Sequence, residues 1–491
     1  METTMWKCDV CGFIHEGEDP PAVCPVCGVD SSHFEKVKVA QYRQKTGARW
    51  KCGVCGYIHD GKNPPDKCPV CSVPSGYFGP VESGEYTAGS SGSVRDIVII
   101  GAGVAGMTAA EQAAAQKGVA VTVISGEQGV PYYRLNLTRY LAREVDSGDL
   151  IMNDYGWFSS RNIKLITAQV ERIVPEHKSV EFSIAGESRT ISYDRLIIAT
   201  GAHPFVPPFK GVKKTGVFTL RTKDDADNIL SQINNGVRAT IIGGGLLGLE
   251  AAGALAATGC RVTVLEGHGW VLPRQLNKTA GELLIDKLSR KNITVLTDAR
   301  TKEITGSDKV ESVILEDGRR VETDILIIST GVRANMYLAI GAEIDVDRGI
   351  IVNDEMQTSD RFIYAAGDAA QHRGQMYGIW PAAYLQGSTA GINAGGGHHK
   401  FVEIPRSNML KVLDINLFSI GDVSVQDGSS TAYESENGDN YYRIVCRDGL
   451  VLGAVLLGDT ALAGRLQEII ESKIPAALSG DVAALFPELV G

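Results

Sequence analysis

Two glycine turns, Gly101-Ala-Gly103-Val-Ala-Gly106 and Gly243-Gly-Gly245-Leu-Leu-Gly248, occur about 140 positions apart in the same local setting. Each closes a continuous apolar run, Asp96–Ile100 or Ala239–Ile242. Each opens an alanine-rich helical stretch, Met107–Lys117 or Leu249–Thr258, and each is followed by a second apolar run, Val119–Ile124 or Arg261–Leu265. Uninterrupted apolar strands alternating with helices predict parallel sheets covered on both faces, hence doubly wound α/β domains. In such a turn the first glycine makes the bend, the second lets backbone approach a pyrophosphate, and the third lets helix and strand pack closely. One such motif is weak, but two in matching strand–turn–helix context predict two dinucleotide sites. The acid closing the second unit, Glu266, suits a ribose 2′-hydroxyl and repels a 2′-phosphate, which favours NADH over NADPH. Arg274 is expected to be the only cation near it.

The first eighty residues obey a different rule. Cys8, Cys11, Cys24 and Cys27 recur 44 positions later as Cys52, Cys55, Cys68 and Cys71, and Trp6, His15 and Phe34 recur as Trp50, His59 and Phe78. Each half reads Cys-x2-Cys-x12-Cys-x2-Cys. Two thiolates from one tight turn reach one tetrahedral metal, and a second such knuckle closes the shell. Ligand count alone leaves zinc and iron open. With four thiolates present, His15 and His59 are expected to be structural. Residues 1–37 carry seven acids and two lysines, net −5, whereas residues 49–82 carry four bases and three acids, net +1. One expectation is that one module meets an external partner while the other takes electrons from the enzyme body.

The 491 residues exceed one core, so three to four domains are expected. Net charge is −10, which argues against nucleic acid or an anionic membrane as partner. No apolar run reaches the roughly 18 residues of a membrane helix, and the start lacks the pattern of a secretory signal. Eight of the ten cysteines fall into the paired clusters, which reads as metal ligation in a reducing compartment and places the chain in the cytoplasm. Cys260 and Cys446 read as buried, inert packing residues. Expected boundaries are 1–37 and 49–80 for the cysteine modules, 81–93 for a Gly/Ser-rich tether, 94–206 with 323–397 for the first dinucleotide domain, 207–322 for the second, and 398–491 for a small α+β domain.

The segments Trp-Lys-Cys-Asp-Val-Cys-Gly-Phe-Ile-His15 and Trp-Lys-Cys-Gly-Val-Cys-Gly-Tyr-Ile-His59, each completed by Cys-Pro-Val-Cys, resemble rubredoxin in the short form that ends rubrerythrins. The resemblance implies one redox-active iron per module, held by the eight cysteines above. Downstream, Arg195-Leu-Ile-Ile-Ala-Thr-Gly201 and Arg361-Phe-Ile-Tyr-Ala-Ala-Gly-Asp368 join the first glycine turn in a pattern that resembles the two-dinucleotide-domain flavoprotein reductases over about residues 94–397. The nearest such group is the NADH:rubredoxin reductases and the flavin part of nitrite reductases. The fold class implied is two rubredoxin-like, zinc-ribbon-type modules ahead of an α/β two-dinucleotide-domain flavoprotein with a small α+β end.

The resemblance puts FAD on Gly101, Gly103, Gly106, Glu127, Arg134, Arg139, Val170, Thr200, Gly201, Gly367 and Asp368. It puts NADH on Gly243, Gly245, Gly248, Glu250, Glu266 and Gly331. Ser125 stands where an adenosine-ribose acid is usual, so relatives with a displaced acid suggest Glu127 for that role. Arg134 is kept, while Thr138 and Arg139 stand where Ser and Lys are usual. Arg139, Glu250 and Trp380 are the residues expected at the reacting rings, with no indispensable acid or base. Disulfide reductases and peroxidases of this fold need cysteine after the first dinucleotide unit, and residues 125–145 contain none. No siroheme-binding extension is expected. The implied activity is an NADH-dependent FAD reductase feeding its own iron modules, with rubrerythrin, a flavodiiron protein or a similar redox protein as acceptor and a homodimer as one expected assembly. Two readings stand beside it: zinc modules that only dock a partner onto a flavin oxidase, and an NADH-sensing interaction protein.

Overall fold

The computed structural model describes residues 5–8, 14–16, 19–22, 30–37, 49–52, 58–68, 75–80, 94–412, 414–424 and 429–475. The expected tether at 81–93 lies outside them.

The sequence repeat is a structural repeat in register. In the first module Met5–Cys8 pairs antiparallel with Ile14–Glu16 and Phe34–Val37, placing Trp6 opposite His15 and Cys8 opposite Phe34. In the second, Arg49–Cys52 pairs with Ile58–Asp60 and Phe78–Pro80, placing Trp50 opposite His59 and Cys52 opposite Phe78. A short 3₁₀ turn precedes the last strand of each, Ser31–His33 and Ser75–Tyr77. The Trp50 indole N–H donates to the Gly61 carbonyl at 3.1 Å, which anchors the ring over the turn that follows His59.

The first dinucleotide unit is a five-stranded parallel sheet in the order Ile363–Ala365, Arg195–Ile198, Asp96–Ile100, Ala120–Ser125, Ile163–Thr167. The second repeats it in the order Val217–Phe218, Ile325–Ile328, Arg238–Ile242, Arg261–Leu265, Ile293–Leu296. Each carries a three-stranded antiparallel satellite, Gln169–Val174 with Ser179–Ile184 and Glu187–Ser192, and Thr301–Thr305 with Ser312–Leu315 and Arg320–Glu322. One expected boundary shifts. Ile325–Ile328 pairs with Val217–Phe218 and with Arg238–Ile242, so it belongs to the second unit and not to a first-unit segment starting at 323. The chain returns to the first unit only through Val332–Ala334, which pairs with Ala202–Pro204. An apolar strand carries no mark of which parallel sheet it enters, so sequence placed it wrongly.

Helix Val104–Ala114 packs against Trp380–Ala394 through small residues. A Cβ on Gly387 would collide with the Ala105 carbonyl, and one on Gly391 with that of Ala109. Glycine at both places is what lets the backbones approach so closely.

The C-terminal domain is a five-stranded antiparallel sheet, Ser407–Val412, Ile415–Gly421, Leu450–Leu457, Asn440–Arg447, Thr431–Asn437 in spatial order, with helix Ala463–Ser472 on it. Its inward side chains Leu417, Tyr441, Val455 and Leu457 share one buried cluster with Leu249 and Leu284 of the second unit and with Leu137 and Leu141 of the first. Asn277, at the start of helix Lys278–Ser289, donates to the Tyr441 hydroxyl at 2.8 Å across this junction.

Candidate active site

The two glycine turns have the same anatomy. Gly101 (φ +107°) and Gly243 (φ +113°) sit where a Cβ would strike the carbonyls of Ala199 and Ser329, each on the neighbouring strand's exit. A Cβ on Gly106 or Gly248 would strike the carbonyl of Gly101 or Gly243. At Gly103 and Gly245, by contrast, a Cβ would meet nothing within 4 Å. The middle glycine therefore faces free space at a helix N-terminus, where unpaired N–H groups and the helix dipole favour a phosphate.

That space continues into one cavity of about 1360 Å³. Gly101, Gly103, Glu127, Arg134, Arg139, Val170, Thr200, Gly201, Gly367 and Asp368 all line it, as do Glu250 and Trp380. Of the expected FAD residues only Gly106 lies off the lining, where it serves the helix–strand contact. Ser407, Asn408, Met409 and Phe418 of the C-terminal domain supply part of the wall. No cysteine lines the cavity among the described residues.

Charged groups along the wall form a chain. Glu127 accepts from the Arg134 guanidinium at 2.5 Å through one carboxylate oxygen and from the Tyr132 hydroxyl at 2.5 Å through the other. Arg134 also donates to the Arg221 carbonyl, and the Arg221 guanidinium pairs with Asp368 at 3.0 Å. Glu127 and Asp368, far apart in sequence, are thus held on one wall by Arg134 and Arg221. Burial pushes the Tyr132 phenol well up, so it stays a donor. Arg221 was missed by sequence reasoning. It stands 87 residues from Arg134 with no motif around it, and only the fold brings the two together.

Gly378 and Ile379 line the cavity beside Trp380, which starts the helix that packs on Val104–Ala114. The Trp380 ring lies 5.6 Å from that of Tyr133. Arg139 lines the cavity with its guanidinium turned to Glu144 at 3.3 Å. Glu250 is the sole charged residue of helix Leu246–Ala257. Burial pushes its carboxyl up to about 7, with hydrogen bonding from Thr138 working weakly against the shift.

Gly243, Gly245, Gly248, Glu266 and Gly331 lie outside this cavity's lining and form the second turn and its surroundings. Glu266 is buried at 7% exposure. Its carboxylate accepts from the Gly244 N–H at 2.8 Å and from the His268 N–H at 2.9 Å.

These two turns, their order along the chain and the shared cavity decide the family. The pattern described as pyridine nucleotide-disulphide oxidoreductase matches residues 95–387. The chain belongs to that family. Within it, residues 407–474 match the C-terminal domain of rubredoxin NAD+ reductase, and residues 6–35 and 50–79 each match the rubredoxin-like domain of rubrerythrin.

Among relatives of this family, nitrite reductase [NAD(P)H] of Bacillus subtilis is 35% identical over 398 residues, covering 80% of this chain and 49% of that protein. NADH-rubredoxin oxidoreductase of Clostridium acetobutylicum is 34% identical over 377 residues, covering 77% of this chain and 94% of that one. The crystal structure of NADH:rubredoxin oxidoreductase from Clostridium acetobutylicum superimposes with a TM-score of 0.66 at 32% identity, over 80% of this chain and 99% of that one. The chain spans about half the length of the first curated relatives it matches. The fold is that of an FAD-dependent oxidoreductase of this family, with rubredoxin-like modules ahead of it.

Of the eight expected metal ligands, Cys52 and Cys68 are buried at 0% and 1% exposure. Cys8 ends the strand Met5–Cys8. Cys11, Cys24, Cys27, Cys55 and Cys71 lie outside the described residues. Cys260 and Cys446 are buried as expected, and burial pushes the Cys446 thiol up to about 11, which keeps it protonated. No helix of the described residues is long and apolar enough to cross a membrane.

The charge near Glu266 needs one correction. Arg274 is not the only nearby cation, because Arg300 lies against Gly267, the residue after Glu266.

Proposed function

We propose that the chain is an NADH:rubredoxin oxidoreductase that oxidises NADH and delivers the electrons to iron in its own cysteine modules, and from there to an external redox protein. The observation that carries this reading is a cavity lined by both dinucleotide units with no cysteine on its wall among the described residues, in a chain whose paired cysteines all lie in two separate modules.

The residues fit the groups involved. Gly103 leaves open space at a helix N-terminus for the FAD pyrophosphate, and Glu127 and Asp368 offer acceptors to sugar hydroxyls along one wall. Buried Cys52 and Cys68 offer thiolates in a tetrathiolate spacing that suits iron and zinc alike. When bound, FAD exchanges two electrons with NADH and single electrons with an iron–thiolate centre. The protein's own task is binding and orientation. The Arg134–Glu127 and Arg221–Asp368 pairs fix the wall. Glu250 presents a carboxyl on the wall that both units line, and Ser407, Asn408, Met409 and Phe418 complete part of that wall. With no cysteine between residues 125 and 145, the reading needs no thiol relay.

The electron path to the tethered centres, the iron in them and the acceptor form one claim with one test. The full chain, reconstituted with FAD and iron, is mixed with NADH in an anaerobic stopped-flow instrument. Flavin bleaching followed by loss of the ferric–thiolate colour supports the reading. Flavin bleaching with unchanged iron colour defeats the internal path, and no bleaching defeats the enzyme reading. A rubrerythrin or flavodiiron protein added afterwards should restore both colours.

A further inference from the structure

The second dinucleotide turn carries a cation that sequence order hides. Glu266 would discriminate against a 2′-phosphate, but each of its oxygens already accepts from a backbone amide, from Gly244 and from His268. Its side chain is buried and cannot swing outward without giving up both bonds. The next residue, Gly267, has no side chain, and a Cβ there would lie 3.9 Å from Cγ of Arg300. Arg300 stands just before strand Thr301–Thr305 of the satellite sheet, where its carbonyl accepts from the Glu316 N–H at 2.8 Å. Its side chain is exposed and makes no ion pair among the described residues. The guanidinium lies three bonds beyond Cγ, a length that lets it reach the neighbourhood of a ribose held by Glu266 past the bare Gly267. A planar fork of N–H donors without an acidic partner is the group best shaped to take a phosphate through two bonds.

We propose that Arg300 is a specificity-determining residue that receives the 2′-phosphate of NADPH, so that the chain accepts NADPH as a second, weaker reductant beside NADH. The proposal rests on the reading of Gly243–Gly248 and Glu266 as the nicotinamide-dinucleotide site. Glu266 sets the preference for NADH, and Arg300 offsets part of the repulsion that Glu266 exerts on the extra phosphate. The arrangement needs no movement of the turn, since Gly267 leaves the path open.

The test uses the full FAD-loaded chain and its Arg300→Ala and Arg300→Lys variants. Flavin reduction is followed with NADH and with NADPH, and calorimetry measures binding of ADP-ribose and of 2′-phospho-ADP-ribose. In the unaltered chain NADPH should reduce the flavin with a kcat/KM below that of NADH. Arg300→Ala should lower kcat/KM for NADPH tenfold or more, through KM, and weaken 2′-phospho-ADP-ribose to a similar extent. NADH and ADP-ribose, which lack the phosphate, should change less than twofold. Arg300→Lys should keep part of the NADPH activity, as a point charge without the fork. Absence of any NADPH reduction, equal losses with both reductants, or no loss with either would each overturn the proposal. Failure of NADH itself to reduce the flavin would overturn the proposed function instead.

Discussion

Glu250→Gln is the substitution whose effect follows most directly from the site. The carboxyl sits in an otherwise uncharged helix on the wall of a cavity, and among the described residues no cation pairs with it. Arg139 is turned to Glu144. Its pKa rises from 4.5 to about 7, chiefly because burial disfavours the charged form. In the unfolded chain the group ionises near 4.5, so between 4.5 and about 7 the folded chain holds the extra proton. Stability therefore falls as pH rises through that window, and above it the full penalty applies. At about 1.4 kcal/mol per unit, the shift corresponds to about 3 kcal/mol, a ceiling because the cavity-facing edge is partly exposed. Glutamine keeps the shape and removes the titration.

The assay is urea unfolding of both chains at pH 5 and pH 8. The double difference between chains and pH values cancels the groups they share. We expect glutamine to gain about 2 kcal/mol over glutamate on going from pH 5 to pH 8. A double difference under about 0.5 kcal/mol, or one of opposite sign, would refute the reasoning, because no buried carboxylate penalty would then exist. Kinetics supply a second reading of the same group. NADH acquires positive charge as hydride leaves, and an ionised carboxylate on the wall stabilises that charge. Flavin reduction should therefore speed up as pH rises through about 7 in the unaltered chain and stay at its acid-side rate in the variant.

Three further outcomes follow from the packing. Gly387→Val should drive apart the two helices whose N-termini meet the cavity, costing about 3 kcal/mol and lowering the flavin retained on gel filtration; full retention would show that the close approach is dispensable. With iron in both modules as proposed, Cys52→Ser should remove about half of the ferric–thiolate absorbance per chain, whereas Cys446→Ser should leave the colour intact. Asn277→Ala should strip the Tyr441 hydroxyl of its donor across the domain junction, at a cost of about 1–2 kcal/mol seen in the thermal midpoint with flavin content unchanged.

Local rules made much of this legible. The 44-residue repeat of Trp, Cys, His and Phe reappears as identical strand registers, because each residue's partner lies within its own module. The glycine turns were legible for the same reason: a positive φ and a helix–strand contact are set within a few residues. Glu127, expected as a displaced acid, lines the cavity, seven residues from the Arg134 that pairs with it. What escaped was set by distant chain. Ile325–Ile328 could have joined either parallel sheet, and only pairing with Arg238–Ile242 decides it. Arg221 and Arg300 carry no motif: Arg221 meets Arg134 from 87 residues earlier and Asp368 from 147 residues later, and Arg300 lies against Gly267 from 33 residues earlier.

The C-terminal domain was the least legible part, and the structure gives it a mechanical place. Its apolar face is continuous with the core of the second dinucleotide unit, and strand Ser407–Val412 lies against helix Leu246–Ala257, which bears Glu250. Asn408 and Met409 of that strand line the same cavity as Glu250. A shift of the helix that starts at the second glycine turn must therefore carry the cavity wall with it, since close-packed interiors transmit displacement instead of absorbing it. Helix Leu246–Ala257 and the stretch of cavity wall given by Asn408 and Met409 are therefore one packed unit, held by the same buried cluster.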